Sequence, residues 1–157
     1  MNLNQYTVKS QEAIQKAQQV AMEFGNQQIE PKHLLEGIFQ TEENISEFLL
    51  KKSEAELTLV RERNRENLEK LPKVEGGNIY LSQNANKVLL DAPNIAKKMG
   101  DEFVTIEHLW LSLLDVNSEV SKMLKKRFGN GDQRIAKRLE SNFSKFRRNL
   151  SKFKQIR

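Results

Sequence analysis

The chain has 157 residues, no cysteine, one tryptophan and a formal charge of +5, with 38% hydrophobic and 30% charged residues. This is ordinary globular composition, and it excludes disulfides, thiolate metal sites and cysteine nucleophiles. No apolar run approaches the ~20 residues of a membrane-spanning helix, and Met1–Gln5 shows no charged-then-apolar leader, so the expected compartment is the cytoplasm. The charge is unevenly placed. Residues 132–157 carry nine basic and two acidic groups, whereas residues 1–131 carry 17 basic and 19 acidic ones. The body is mildly acidic and the basicity belongs to a tail.

In chain order, Thr7 reads as the cap of a first helix. Its buried face is Ala13, Ile14, Ala17, Val20, Ala21 and Phe24, at the i, i+3, i+4 spacing of one helical stripe. Gly25-Asn26 supplies the stop, and Pro31 fits the first turn of a second helix carrying Leu34, Leu35, Ile38 and Phe39. Ile45, Phe48 and Leu49 suggest a short helix, and Leu57, Val60, Leu68 and Leu71 a longer one. Leu71–Gly77 is the only Pro/Gly-rich stretch and reads as a linker. Ser82 then caps a helix with Val88, Leu89, Ala92, Ile95, Ala96 and Met99 on one face, ending at Gly100-Asp101. Pro93 falls inside it, where a proline kinks the helix or leaves a carbonyl unpaired. Leu109, Trp110, Leu113 and Leu114 mark the next helix, and Val120, Met123, Leu124 and Phe128 another. Ile135 and Leu139 open the last one, whose stripe continues through Phe143, Phe146, Leu150 and Phe153.

The chain repeats itself. A shift of 75 places lays residues 7–39 over 82–114, with Thr7 on Ser82, Ala17 on Ala92, Gly25 on Gly100, Ile29 on Val104 and His33 on His108. Strand signals are nearly absent. The expectation is an all-α fold of two pseudo-symmetric repeats, each of about four helices, packed into one domain with a C-terminal basic amphipathic helix. The repeats span 1–71 and 82–141, joined by a linker at 72–81 and followed by a tail at 142–157.

Four segments, Thr7–Ala13, Ile29–Leu35, Leu71–Gly77 and Lys98–Val104, together resemble the N-terminal repeat domain of the Clp-type ring ATPases. The resemblance covers about residues 1–128 and is greatest to the ClpB branch, whose linker pattern Leu-Pro-x-Val-x-Gly stands at 71–76. It implies a domain seated on a hexameric ATPase that captures unfolded or aggregated polypeptide, or an adaptor, for passage to a central pore. It further implies a groove between the repeats that takes apolar segments of a client. The family's functional positions fall here on Thr7, Asp101 and Glu107, with Leu89 as an apolar groove residue. ATP belongs to the ATPase modules of such a parent. No cofactor is expected in this chain, and the isolated domain is expected to be a monomer.

Several residues carry two readings. Thr7 and Ser82 cap helices, and an added client contact by Thr7 is the functional alternative. Asp101 and Glu107 read either as solvated charges of an acidic elbow or as polar groups of the site. On the second reading their replacement weakens capture and leaves the melting temperature nearly unchanged. Tyr6, Ile79, Tyr80 and Leu81 precede the first helix of each repeat. They either staple its first turn or line the groove, Tyr6 and Tyr80 being the candidate contacts. His33 and His108 lack a His or carboxylate at i+4 and read as packed groups near each elbow rather than metal ligands. The tail stripe packs on protein or, in the alternative reading of the chain as a stand-alone binding protein of this fold, presents a basic helix to nucleic acid or an anionic membrane. No Gly-x-x-x-x-Gly-Lys-Ser/Thr loop is present, and no nucleophile–base pair stands out, so catalysis is not expected.

Overall fold

The computed structural model describes residues 3–41 and 58–128. The short helix expected around Ile45–Leu49, the end of the second repeat and the basic tail therefore lie outside the described residues. Among the described residues the elements are α1 (Val8–Glu23), β1 (Gln28–Ile29), α2 (Pro31–Thr41), α3 (helical over 58–69), β2 (Tyr80–Leu81), α4 (Gln83–Lys98), α5 (Ile106–Asp115) and α6 (Glu119–Phe128). None of the described helices is long and apolar enough to cross a membrane.

The punctuation follows side-chain chemistry. Thr7 Oγ1 accepts the Ser10 N–H at 3.2 Å and Ser82 Oγ accepts the Ala85 N–H at 3.1 Å, each satisfying one donor left over at a helix start. Both helices end in the same left-handed cap. The Asn26 N–H reaches the Ala21 carbonyl at 2.8 Å, and the Asp101 N–H reaches that of Ala96 at 2.9 Å. Gly25 (φ 69°) and Gly100 (φ 76°) occupy the turn because a Cβ is disfavoured there.

The two repeats are stitched together by backbone. The lead-in to each first helix pairs with the elbow of the other repeat. Tyr6 bridges Val104, and Gln28–Ile29 pairs in parallel with Tyr80–Leu81. The Thr7 N–H donates to Val104 O, and the Ser82 N–H donates to Ile29 O, both at 3.0 Å. These bonds relate positions 75 apart, so the pseudo-twofold is written into the hydrogen bonding. The small strand pair is the structural feature that helical periodicity did not announce. The linker also docks, with the Val74 N–H on Gly25 O at 2.8 Å and Asn26 Nδ2 on Pro72 O at 3.2 Å.

One continuous core runs through both repeats, from Ala17, Leu35 and Ile38 to Ala92, Trp110 and Leu113, all essentially without solvent exposure. Phe39 meets Trp110 edge-on, ring centroids 5.7 Å apart at 75°. Within each repeat the two main helices cross differently. Gly37 lies so close to α1 that an added Cβ would stand 2.3 Å from the Ala13 carbonyl oxygen. The residue 75 places on is Ser112, whose hydroxyl donates to the Val88 carbonyl at 2.7 Å.

Candidate functional site: a groove between the repeats

Pro93 is the residue that builds the site. It sits within the continuous helix α4, has no N–H, and so leaves the Leu89 carbonyl without its helical donor. The Tyr6 hydroxyl donates to that carbonyl from the other repeat. Tyr6 is buried, and burial raises its hydroxyl pKa to about 12, so it remains a donor at any physiological pH. The proline defect is thereby satisfied, and α4 is tied to the lead-in of α1 across the repeat boundary.

Over this junction lies a groove of about 500 Å³, lined by Gln5, Tyr6, Leu81, Asn86, Leu89, Leu90 and Pro93. Leu89 is 4% exposed and belongs to the floor, whereas Leu90 is 64% exposed at the rim. Among the described residues the lining has no charged side chain at neutral pH. A surface of this kind gains affinity from apolar burial, at roughly 25 cal/mol per Å², and discriminates little between apolar occupants.

The six expected site residues divide among three places. Tyr6 and Leu89 meet in the groove. Tyr80, 50% exposed, is elsewhere. It lines a smaller hollow of about 190 Å³ between the first elbow and the linker, and Gln28 Nε2 donates to its hydroxyl at 3.2 Å. Alternate strand residues face opposite ways, so Leu81 enters the groove and Tyr80 does not. Thr7 joins the Tyr6–Val104 junction through its N–H on Val104 O, while Asp101 and Glu107 flank Val104 in sequence, Asp101 at the second elbow and Glu107 in the first turn of α5.

Neither acid is a freely solvated charge. Glu107 is buried, 5% exposed, in the first turn of α5, where a helix N-terminus favours negative charge. Asp101 Oδ2 accepts the His108 Nε2–H at 2.8 Å, and the Asp101 side chain is 26% exposed. The picture of an acidic, solvent-facing elbow is corrected accordingly. Thr105 N–H donates to His108 Nδ1 at 2.8 Å, so that nitrogen carries no hydrogen and Nε2 does. His33 repeats the arrangement, with Glu30 N–H on Nδ1 at 2.8 Å and Asn26 Oδ1 2.9 Å from Nε2. Both ring nitrogens of each histidine are thus engaged in scaffold bonds. Burial, then the neighbouring Lys32 charge, depresses the His33 pKa to about 4, against a smaller opposing pull from its Glu30 bond. No group of three potential metal ligands occurs among the described residues.

Residues 5–127 match the family model described as the Clp repeat (R) N-terminal domain. The chain belongs to this family. It is 44% identical over 128 residues to the chaperone protein ClpB of Bacteroides thetaiotaomicron, covering 80% of this chain and 14% of that protein. It is 40% identical over 125 residues to ClpB of Porphyromonas gingivalis, again covering 80% and 14%. The crystal structure of the Hsp104 N-terminal domain from Candida albicans superposes with a TM-score of 0.76 at 21% identity, covering 92% of both chains. The chain thus spans about a seventh of the length of these curated ClpB relatives, and the domain it matches is the non-catalytic N-terminal one of a chaperone.

Within that family domain, Leu90, Asn86 and Gln5 complete the groove, and none of them stood out in sequence. Leu90 lies off the buried stripe of α4, so periodicity assigns it to solvent. Its only signal is an exposed leucine one place after the floor residue.

Proposed function

We propose that this domain captures apolar segments of unfolded or aggregated polypeptide, directly or through an adaptor, for a ClpB-like ring ATPase acting in the cytoplasm. The observation that carries the reading is the uncharged groove over the Tyr6–Leu89 junction, with Leu90 exposed on its rim. Leu90 does not stand alone but borders the groove with Leu81, Leu89 and Pro93, so a client segment seated there would cover this apolar surface together. Family membership supports the same reading, because the curated ClpB relatives are chaperones.

Fluorescence anisotropy with labelled, reduced casein as an unfolded client tests it. Wild type should bind weakly, and Leu90→Asp should weaken binding at least about tenfold by placing a charge where apolar surface is buried. Because Leu90 is exposed, the melting temperature should hold. Equal binding by wild type and Leu90→Asp would remove the groove from the reading.

A further inference from the structure

The groove contains an unpaired piece of strand. In and just after β2, Tyr80 and Ser82 face β1, with the Tyr80 N–H on Gln27 O and the Ser82 N–H on Ile29 O, each at 3.0 Å. Backbone groups alternate sides along an extended chain, so the N–H and C=O of Leu81 point the other way. Among the described residues neither of them has a hydrogen-bond partner. Leu81 also lines the groove.

The equivalent residue of the first repeat, Tyr6, shows how such an edge is closed. Its N–H donates to Leu3 O at 3.0 Å, and its C=O accepts from Gln11 Nε2 at 3.0 Å. Gln11 also donates to Leu3 O at 3.1 Å, so one amide side chain seals the whole lead-in. The residue 75 places after Gln11 is Asn86, one methylene shorter, and it makes no such bond to Leu81. One repeat caps its strand edge and the other leaves it open beside the groove.

We propose that a client segment binds as an added strand, its backbone N–H and C=O pairing with Leu81 while an apolar side chain enters the groove over Leu89 and Pro93. An extended segment is the occupant because it alone presents alternating free donors and acceptors. A helix has already spent its backbone groups internally, and among the described residues the groove offers no charged side chain at neutral pH to recognise an ionic ligand. The inference rests on the capture reading above and specifies its hydrogen-bonding mode.

The test follows amide hydrogen exchange by NMR on the full chain, with and without a fluorescein-labelled decapeptide bearing a central Leu-Val-Leu run between Gly-Ser flanks. On binding, the Leu81 amide should slow at least about tenfold while the Tyr6 amide, already bonded, changes little. Asn86→Gln, which supplies the longer amide found at Gln11, should weaken the peptide about fivefold by competing for the Leu81 carbonyl. If the peptide binds and is lost in Leu90→Asp, yet Leu81 exchange stays within about twofold, the strand pairing is wrong and the groove stands. If the peptide does not bind, or binds equally to Leu90→Asp, both readings fall.

Discussion

The two repeats share a plan and differ where it matters. The caps agree, but at four shared positions the two repeats are built differently. Gly37 lets α2 press on α1, whereas Ser112 holds α5 against α4 through a hydrogen bond. Gln11 seals the Tyr6 edge, whereas Asn86 makes no such bond and the Leu81 edge has no partner among the described residues. Gln18 continues the ladder of α1, whereas its counterpart Pro93 frees a carbonyl that the first repeat must supply with a donor. Asn26 holds His33 with a neutral amide, whereas Asp101 holds His108 with a carboxylate. Duplication thus provides one half whose strand edge is sealed and one whose edge has no partner among the described residues, and the backbone crossings lock one to the other.

The sharpest way to break this contrast is to fill the close helix crossing. Gly37→Ala puts a Cβ 2.3 Å from the Ala13 carbonyl oxygen, a contact that backbone must move to relieve. Urea denaturation should show a loss above ~3 kcal/mol, as overpacking against backbone is among the costliest changes. Ser112→Gly, at the looser crossing, should cost only about 1 kcal/mol. Comparable losses at both positions would erase the distinction between the crossings.

Two effects of intermediate size probe the bonds at the junction and the first elbow. Tyr6→Phe strands the Leu89 carbonyl and should cost ~2 kcal/mol. Pro93→Ala restores the helical N–H donor to that carbonyl, so Tyr6→Phe should become nearly neutral in its presence. A double-mutant cycle with no coupling would separate the tyrosine from the proline defect. The His33 imidazole, held at about 4 in the fold, titrates near 6.5 when unfolded. The unfolded chain therefore binds the extra proton between these values, and stability falls as the pH drops through that window. The loss attributable to His33 should reach ~2 kcal/mol by pH 5, and His33→Gln should flatten that part of the profile.

The smallest effects concern the caps. Thr7→Ala and Ser82→Ala should each cost about 1 kcal/mol. Thr7→Ala should cost the more, because the Thr7 hydroxyl also meets Ser10, whose Oγ donates to Val104 O of the other repeat at 2.8 Å. Equal losses would confine both residues to capping alone.

Much of the fold was legible because helix punctuation is local. Thr7, Gly25, Pro31, Ser82 and Gly100 act within a few residues of themselves, and the 75-residue shift exposed their repetition. The site was only half legible. Leu89 and Tyr6 meet through a bond spanning 83 positions, and nothing in helical periodicity brings a tyrosine hydroxyl to a carbonyl freed by a distant proline. Tyr80 looked equivalent to Tyr6 because both precede a first helix. The repeat register instead pairs Tyr6 with Leu81, and the two-residue strand turns Tyr80 to the other side. Glu107 read either as a solvated charge or as a polar group of the site, and its burial in the first turn of α5 is something composition does not encode.

The central claim is that the groove between the interlocked repeats holds the client. Amide chemical-shift mapping of the full chain during titration with reduced casein tests it most directly. The expected result is that the largest changes cluster at Gln5, Leu81, Asn86, Leu89 and Leu90, and that Leu90→Asp abolishes them. Changes centred instead on Asn26–Glu30 and Tyr80, around the smaller hollow, would contradict it.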